Sequence, residues 1–381
     1  MALLFEGCGR NYMSKVIRKS NIELLRILSM FLICLHHFSV HGPWPSTGGA
    51  LPHAVIDIMS MGGKAGVNCF ILITGYFLVK SSFKSRSLVK LLVETFFYSL
   101  GILIVFYVID PNAAGSVNLL KYLLPTSSGL YWFMTNYVAL YILSPVINRL
   151  LSCLSNSSFG LVVTMGFVLF SVLPTVTTFN PIASNFVWFV YVYSLGAYMR
   201  RMKDASSELE SGSWLNPVLF VKRVGPAICV LVAVVFLAAS VVAITYANYY
   251  VDGYEGAPRF FMAQNSAVQV VLSLGLFMLF EKMSVRSNRF VNTVAGATLG
   301  VYLIHDNPLV RGWLWPHFDW AFGRDIVLML AVGLAAASAV FLICAVVDIV
   351  RRYLVERPTM ALLEKTAGPL FDRIDRVMGD L

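Results

Sequence analysis

Charged residues are scarce in this chain of 381 residues: they make up 13% of it, against 58% hydrophobic residues. Soluble domains carry about 25% charged residues, so the composition excludes an ordinary soluble protein. A mean hydropathy of +0.73 agrees with this exclusion. The composition therefore indicates a membrane protein with many spanning segments, rather than a globular core held by one anchor.

Sequence signals of several other protein classes are also missing. The six cysteines include no CxxC pair and the chain has no HExxH motif, so we expect neither a disulfide framework nor a metal site. The segment "GGKAG" (62–66) lacks the ending of a phosphate-binding P-loop. The net charge of +9 comes without a basic stripe interleaved with aromatics, so we expect no nucleic-acid partner.

The N-terminal region lacks the long apolar run of a cleavable signal peptide. Met13 opens "MSKVIRKSNIELL" and looks like a natural start, so we expect the first twelve residues to be disordered or a start-site artefact. We predict a disordered cytoplasmic tail over residues 1–20, a membrane domain over 21–350, and a cytoplasmic C-terminal tail over 351–381.

Ten apolar runs of about 17 to 25 residues suit the ~30 Å hydrocarbon layer of a bilayer. They predict an all-α, polytopic membrane helix bundle of about ten transmembrane helices. Of the 29 lysines and arginines, 23 fall in one alternate set of loops and tails and 5 in the other, so both termini are predicted to be cytoplasmic. The predicted spans are 22–40, 59–79, 88–109, 131–150, 159–176, 184–200, 225–246, 266–282, 291–309 and 325–349.

The first span carries ionisable residues, each of which costs roughly a few kcal/mol in hydrocarbon unless it is partnered or wetted. A helix turns about 100° per residue, so Arg26 and His37 share one face and lie about 16 Å apart along the axis. Glu23 is a same-side neighbour of Arg26, and His41 lies close to the face of His37, whereas His36 points away. Histidine suits proton abstraction from an alcohol, and arginine suits phosphate. Coenzyme A thioesters combine a phosphorylated end with a reactive tip on a long arm, which matches this spacing.

The sequence resembles the integral-membrane acyltransferase 3 family, the bacterial sugar and polysaccharide O-acetyltransferases. In that family the first span carries an acid, an arginine and, after ten further residues, a histidine, which correspond here to Glu23, Arg26 and His37. Three more segments extend the resemblance to about residues 20 to 350. They are "GVNCFILITGYFLV" (66–79), "YWFMTNYVALYILSP" (131–145) and "GVYLIH" (300–305).

The resemblance implies a catalytic group of three residues: His37 as general base or transient acyl carrier, Arg26 contacting the phosphorylated end of the donor, and Glu23 orienting Arg26. The implied donor is cytoplasmic acyl-CoA, in the simplest case acetyl-CoA, and the implied acceptor is a hydroxyl of a sugar or cell-surface glycan. The implied location is the bacterial cytoplasmic membrane, so bilayer lipid is the other expected partner.

A basic cluster after the second span is the candidate contact for the donor's phosphates: Lys84, Arg86 and Lys90. The family commonly has an arginine pair here, whereas Ser87 and Lys90 occupy that spacing in this chain. The cluster would attract a polyanionic coenzyme, but basic residues are also ordinary in cytoplasmic loops, and both interpretations stay open.

Four further residues are candidates for substrate binding. Trp132 and Tyr141 would line a pocket, or they pack between helices. His305, followed by Asp306, would bind an acceptor hydroxyl or orient a water, or it satisfies a helix end. The alternative function for the whole bundle is export or transport of a polysaccharide or a small amino acid. No pair of Gly/Pro-broken spans in corresponding halves is evident, which argues against a transporter.

Overall fold

The computed structural model describes residues 20–177, 179–182, 184–205 and 213–379. This part of the chain is mostly helical and contains no strand, which confirms the predicted all-α class. The expectations for the first twelve residues and for the tail that precedes Ser20 fall outside the described residues.

The α-helices follow one another with short connections, apart from π-helical turns at Val168–Val172 and Arg352–Glu356 and 3-10 segments at Phe260–Met262 and Trp315–Ala321. In chain order they are α1 (Ser20–His41), α2 (Ala50–Met59), α3 (Gly63–Leu78), α4 (Ser85–Ile109), α5 (Pro111–Gly115), α6 (Leu119–Leu123), α7 (Trp132–Ser152), α8 (Asn156–Phe167), α9 (Leu173–Val176), α10 (Asn185–Asp204), α11 (Pro217–Val224), α12 (Pro226–Tyr250), α13 (Ala267–Lys282), α14 (Arg289–Gly296), α15 (Thr298–His305), α16 (Pro308–Leu314), α17 (Ile326–Arg351) and α18 (Arg357–Gly379).

Six helical segments of the described chain are long and apolar enough to cross a membrane. They overlap six of the ten predicted spans. The other four predicted spans correspond to α7 and α10, to the 16-residue α13, and to the pair α14 and α15 with eight residues each. A membrane helix bundle is therefore established, and the number of ten spans stays a prediction. The six segments are Ser20–His41, Ala50–Leu78, Ser85–Ile109, Asn156–Val176, Pro226–Tyr250 and Ile326–Gly379.

Two of the predicted spans are interrupted, and both interruptions lie beside the C-terminal half of α1. Residues 60–62 separate α2 from α3, and residues 306–307 separate α15 from α16. His36 contacts the first interruption, and His37 contacts His305 at the second. A glycine pair and an Asn-Pro step lie at these two breaks, and the expectation that no pair of Gly/Pro-broken spans lies in corresponding halves stays a prediction.

The helices α1 and α3 occupy the centre of the bundle. In the segment Ala50–Leu78, which includes α3, 78% of an apolar stretch of 18 residues is buried. The corresponding share in α12 is 22%. Helix α3 packs against both α1 and α10, whereas α12 presents most of its apolar surface outward. The polar side chains near the start of α1 consequently face other helices rather than lipid: Glu23 is 1% exposed and Arg26 is 3% exposed.

Two glycines allow α3 and α10 to approach backbone to backbone. A Cβ added at Gly75 would collide with the carbonyl oxygen of Tyr193, and one added at Gly196 would collide with that of Leu72. Small residues are enriched at such contacts between membrane helices, because they let the two backbones come close.

We expect Gly75→Ala to lower the free energy of unfolding by about 1–3 kcal/mol, because the added methyl overpacks a backbone contact. Gly101→Ala in α4 is the matched control, since a Cβ there meets nothing within 4 Å. Alanine is also the better helix former, so the control should keep or raise stability. Thermal unfolding of the purified proteins in detergent measures the difference. A Gly75→Ala protein as stable as Gly101→Ala would contradict the close approach of α3 and α10.

The predicted C-terminal tail is helical over its described residues. Helix α17 continues through the π-helical turn at Arg352–Glu356 into α18. Helix α18 packs against the start of α4, where the hydroxyl of Ser85 donates a hydrogen bond to the carbonyl of Phe371 at 3.2 Å. The tail is therefore docked on the bundle at the end that the basic cluster occupies.

Candidate active site

A partly open cavity of about 40 Å³ lies between α1, α3, α7 and α15. Its polar lining comes from His37, Trp132, Thr298 and Tyr302. Its other walls are apolar, which makes the cavity suited to a largely apolar group presented to one imidazole. The apolar lining residues are Met30, Ile33, Val67, Phe70, Phe133 and Leu299.

One ring nitrogen of His37 contacts a second histidine, His305. Its Nδ1 lies 2.9 Å from Nε2 of His305, and Nδ1 of His305 lies 2.5 Å from the carbonyl oxygen of Val301. His305 is fully buried, whereas 12% of the His37 side chain is exposed. His305 does not line the cavity. The structure therefore brings His37 and His305 together, but it places His305 behind the His37 ring and outside the cavity lining.

Asp306 lies beside the two histidines and is neutralised by a nearby guanidinium. Its Oδ1 is 3.6 Å from Nδ1 of His37, 3.9 Å from Nε2 of His41 and 3.3 Å from Nη1 of Arg311. The ligand atoms of His37, His41 and Asp306 lie within 4.8 Å of one another, so these residues could hold a metal ion. A divalent cation there would be repelled by Arg311, and the absence of a metal stays a prediction.

Arg26 and Glu23 form a buried pair one helical turn apart on α1. Nη1 of Arg26 lies 3.4 Å from Oε2 of Glu23. Nε of Arg26 and Oε1 of Glu23 are buried and make no hydrogen bond to any described residue. Arg26 does not line the cavity, whose nearest lining residue on α1 is Met30. The pair is thus inside the bundle as predicted, with polar atoms left unpartnered.

Lys84 and Tyr141 meet at the start of α4, away from the cavity. The Tyr141 hydroxyl donates to the carbonyl of Lys84 at 3.1 Å and accepts from its backbone N–H at 3.2 Å. The Tyr141 ring packs against Phe83. Tyr141 therefore joins α7 to the beginning of α4, which is a packing role rather than a place in the pocket lining.

Arg86 and Lys90 are both engaged by carboxylates. Arg86 donates to both carboxylate oxygens of Glu364 at 2.8 Å and lies 2.9 Å from Oδ1 of Asp372, both on α18. Lys90 lies 2.6 Å from Oε1 of Glu356. Carboxylate and phosphate compete for the same donors of a guanidinium. A phosphate would have to displace these acids before it could bind to either residue.

Trp132 lines the cavity as predicted and has a cationic neighbour that the sequence analysis missed. The Nζ atom of Lys64 lies 5.5 Å from the centroid of the Trp132 ring. Lys64 was counted only as a loop residue, although its place within the apolar second span was a signal of function. Tyr302 was also missed, although it belongs to the "GVYLIH" segment that carried the family resemblance.

A second buried cluster of charges surrounds Arg351, away from the cavity. Nε of Arg351 lies 2.8 Å from Oδ1 of Asp348, and its Nη2 lies 3.1 Å from Glu94 and 2.9 Å from Glu356. Tyr98 donates to the same Oδ1 of Asp348 at 2.9 Å. These residues join α4 to α17 and to the π-helical turn at Arg352–Glu356. The sequence signal for this cluster is the pair of acids inside the third and tenth apolar runs, Glu94 and Asp348.

The fold and the cavity together define a class: a membrane helix bundle with a cavity between its helices that is lined by a histidine of the first helix. A family model described as an acyltransferase domain matches residues 19–349. The chain belongs to this family, the acyltransferase 3 family, which confirms the resemblance seen in the sequence. No curated protein and no solved structure matches the chain.

Proposed function

We propose that this protein is an integral-membrane O-acyltransferase that moves an acyl group from cytoplasmic acyl-CoA to a hydroxyl of a sugar or cell-surface glycan. Acetyl is the proposed acyl group, and the bacterial cytoplasmic membrane is the proposed location. The observation that carries the proposal is the position of His37. In a chain of an acyltransferase family, this imidazole lines a cavity between the helices whose walls are mainly apolar.

The donor is proposed to enter from the cytoplasmic side with its thioester next to His37. Apolar walls exclude water from a thioester, which protects it from hydrolysis. Arg26 precedes His37 by about three helical turns and has an unpartnered Nε, so it is the proposed contact for the donor's phosphorylated end. Arg86 is a weaker candidate because its donors are already bonded to Glu364 and Asp372.

The proposed reaction needs one base and no redox chemistry. His37 takes the proton of the acceptor hydroxyl, and the hydroxyl oxygen attacks the thioester carbonyl. The C–S bond then breaks, and the departing coenzyme A thiolate receives the proton from the imidazolium. The products are an ester and free coenzyme A. In the two-step alternative, a ring nitrogen of His37 attacks the thioester, so a C–N bond forms as the C–S bond breaks and coenzyme A thiolate leaves. The acceptor hydroxyl oxygen then attacks the acyl carbon, a C–O bond forms as the C–N bond breaks, and the hydroxyl proton ends on the released coenzyme A thiolate.

Inverted membrane vesicles that contain the full chain test the proposal, because they expose the cytoplasmic face to added acetyl-CoA. With labelled acetyl-CoA and glycan from the cells that make the protein, we expect label on the glycan as an alkali-labile ester. Vesicles that contain His37→Gln should give none. Wild-type vesicles that produce no labelled ester under these conditions would refute the proposed function.

Transport of the glycan is the second candidate, and the interrupted helices beside His37 favour it. The same vesicles separate the two functions. Movement of unmodified glycan across the membrane without acyl-CoA would indicate a transporter. Labelling of glycan that requires both acetyl-CoA and His37 would indicate the enzyme.

A further inference from the structure

We infer that His305 is a positioning residue that fixes the tautomer of His37, so that the Nε2 lone pair of His37 is the base in the cavity. The inference rests on the proposed function and deepens it, because it names the nitrogen that takes the proton. It also replaces the acceptor-binding role that the sequence analysis considered for His305.

The chain of hydrogen bonds begins at a group that can only accept. The carbonyl oxygen of Val301 lies 2.5 Å from Nδ1 of His305, so this nitrogen carries the proton. A neutral imidazole has one N–H and one lone pair, which leaves the lone pair of His305 on Nε2. The backbone of α15 therefore decides the tautomer of His305, since Val301 precedes it by one helical turn.

The tautomer of His37 follows from the tautomer of His305. Its Nδ1 lies 2.9 Å from the Nε2 of His305, and an acceptor at that place requires a proton on Nδ1 of His37. The lone pair of neutral His37 is then on Nε2. Because Nδ1 is engaged behind the ring, Nε2 is the nitrogen left for the cavity that His37 lines. A hydrogen bond to the far nitrogen also holds the ring in one orientation, as it does in other histidine bases.

The neutral form of His305 is the one that its surroundings favour. His305 is fully buried, and its two ring nitrogens face a carbonyl oxygen and another imidazole. The neighbouring carboxylate of Asp306 is engaged by Arg311. A charged His305 would donate from both nitrogens and would force His37 to carry its proton on Nε2, which would remove the base from the cavity.

Two variants of His305 separate positioning from packing. His305→Leu fills the buried space with an apolar side chain and removes the acceptor, so we expect kcat for acetyl transfer to fall by roughly 10²-fold or more, with KM for acetyl-CoA changed less than about threefold. His305→Gln places an amide oxygen near the position of Nε2, so we expect it to recover at least about a tenth of the wild-type kcat. Full activity in His305→Leu, or equal loss in folded His305→Gln, would overturn the inference.

A measurement that is independent of turnover tests the same point in the wild-type protein. We expect ¹⁵N spectra of histidine-labelled protein, assigned by comparison with His37→Gln, to show a protonated Nδ1 and an unprotonated Nε2 on His37. The opposite tautomer would overturn the inference even if acyl transfer is confirmed. If a chelator abolished transfer and added Zn²⁺ restored it, Nδ1 of His37 would be a metal ligand, and this result would also overturn the inference. Failure of the wild-type transfer assay, in contrast, would refute the proposed function itself.

Discussion

Replacing His37 with glutamine is expected to lower kcat for acyl transfer by about 10²–10⁴-fold, the usual contribution of a general base. Glutamine keeps polar atoms near the place of Nε2 but cannot take a proton at neutral pH. The side chain borders open space in the cavity, so the protein should remain folded. Initial rates with saturating acetyl-CoA and glycan acceptor, measured on monodisperse protein, give the effect.

The chain offers a matched control on the adjacent residue. His36 does not line the cavity, and its Nδ1 lies 3.0 Å from the carbonyl oxygen of Ser60. His36→Gln makes the same chemical change and retains an N–H donor for that carbonyl. We expect its kcat to stay within about threefold of wild type. If both variants lost activity equally, the role of His37 as base would be indistinguishable from a role in packing, and the proposed mechanism would fail.

Replacing Arg26 with lysine is expected to raise KM for acetyl-CoA by about tenfold, with a smaller change in kcat. Lysine keeps the positive charge next to Glu23 but loses the forked set of donors that suits phosphate. Arg26→Ala is the less informative variant, because it leaves Glu23 buried and unpaired at a cost of about 3–5 kcal/mol. Steady-state kinetics with acetyl-CoA as the varied substrate separates binding from turnover.

A distant arginine controls for the general effect of this exchange. Arg200 on α10 pairs with Asp204 at 3.3 Å and lies on the surface of the bundle, with 30% of its side chain exposed. Exposed pairs of this kind contribute about 0–1 kcal/mol, so Arg200→Lys should leave KM for acetyl-CoA unchanged. An unchanged KM in Arg26→Lys as well would remove Arg26 from the donor site.

The first helix shows which features of the site helical periodicity predicted. The spacing of Glu23, Arg26 and His37 predicted one polar stripe, and the structure places all three inside the bundle. Periodicity also predicted that His36 points elsewhere, and its ring contacts Ser60 instead of the cavity. These predictions succeeded because the angle between two residues of one helix depends only on their separation in the sequence.

The basic cluster of Lys84, Arg86 and Lys90 shows what helical periodicity could not predict. Arg86 was considered as a phosphate contact, yet its guanidinium is bonded to acids that lie about 280 residues later in the chain. Tyr141 was considered for the pocket, but it holds the start of α4 through Lys84. Neither contact has a signal in a local stretch of sequence, because each depends on how separate helices pack.

The sequence alone determined that this protein is an all-α membrane protein of an acyltransferase family, and it singled out the histidine on the first helix. Composition and helical period are properties of consecutive residues, so they need no knowledge of the neighbours. Only the tertiary structure decided that His305 stands behind His37, that Trp132 rather than Tyr141 lines the cavity, and that α18 covers Arg86. Those relations arise from packing between segments far apart in the chain, where a shift of one helical turn would bring different side chains together.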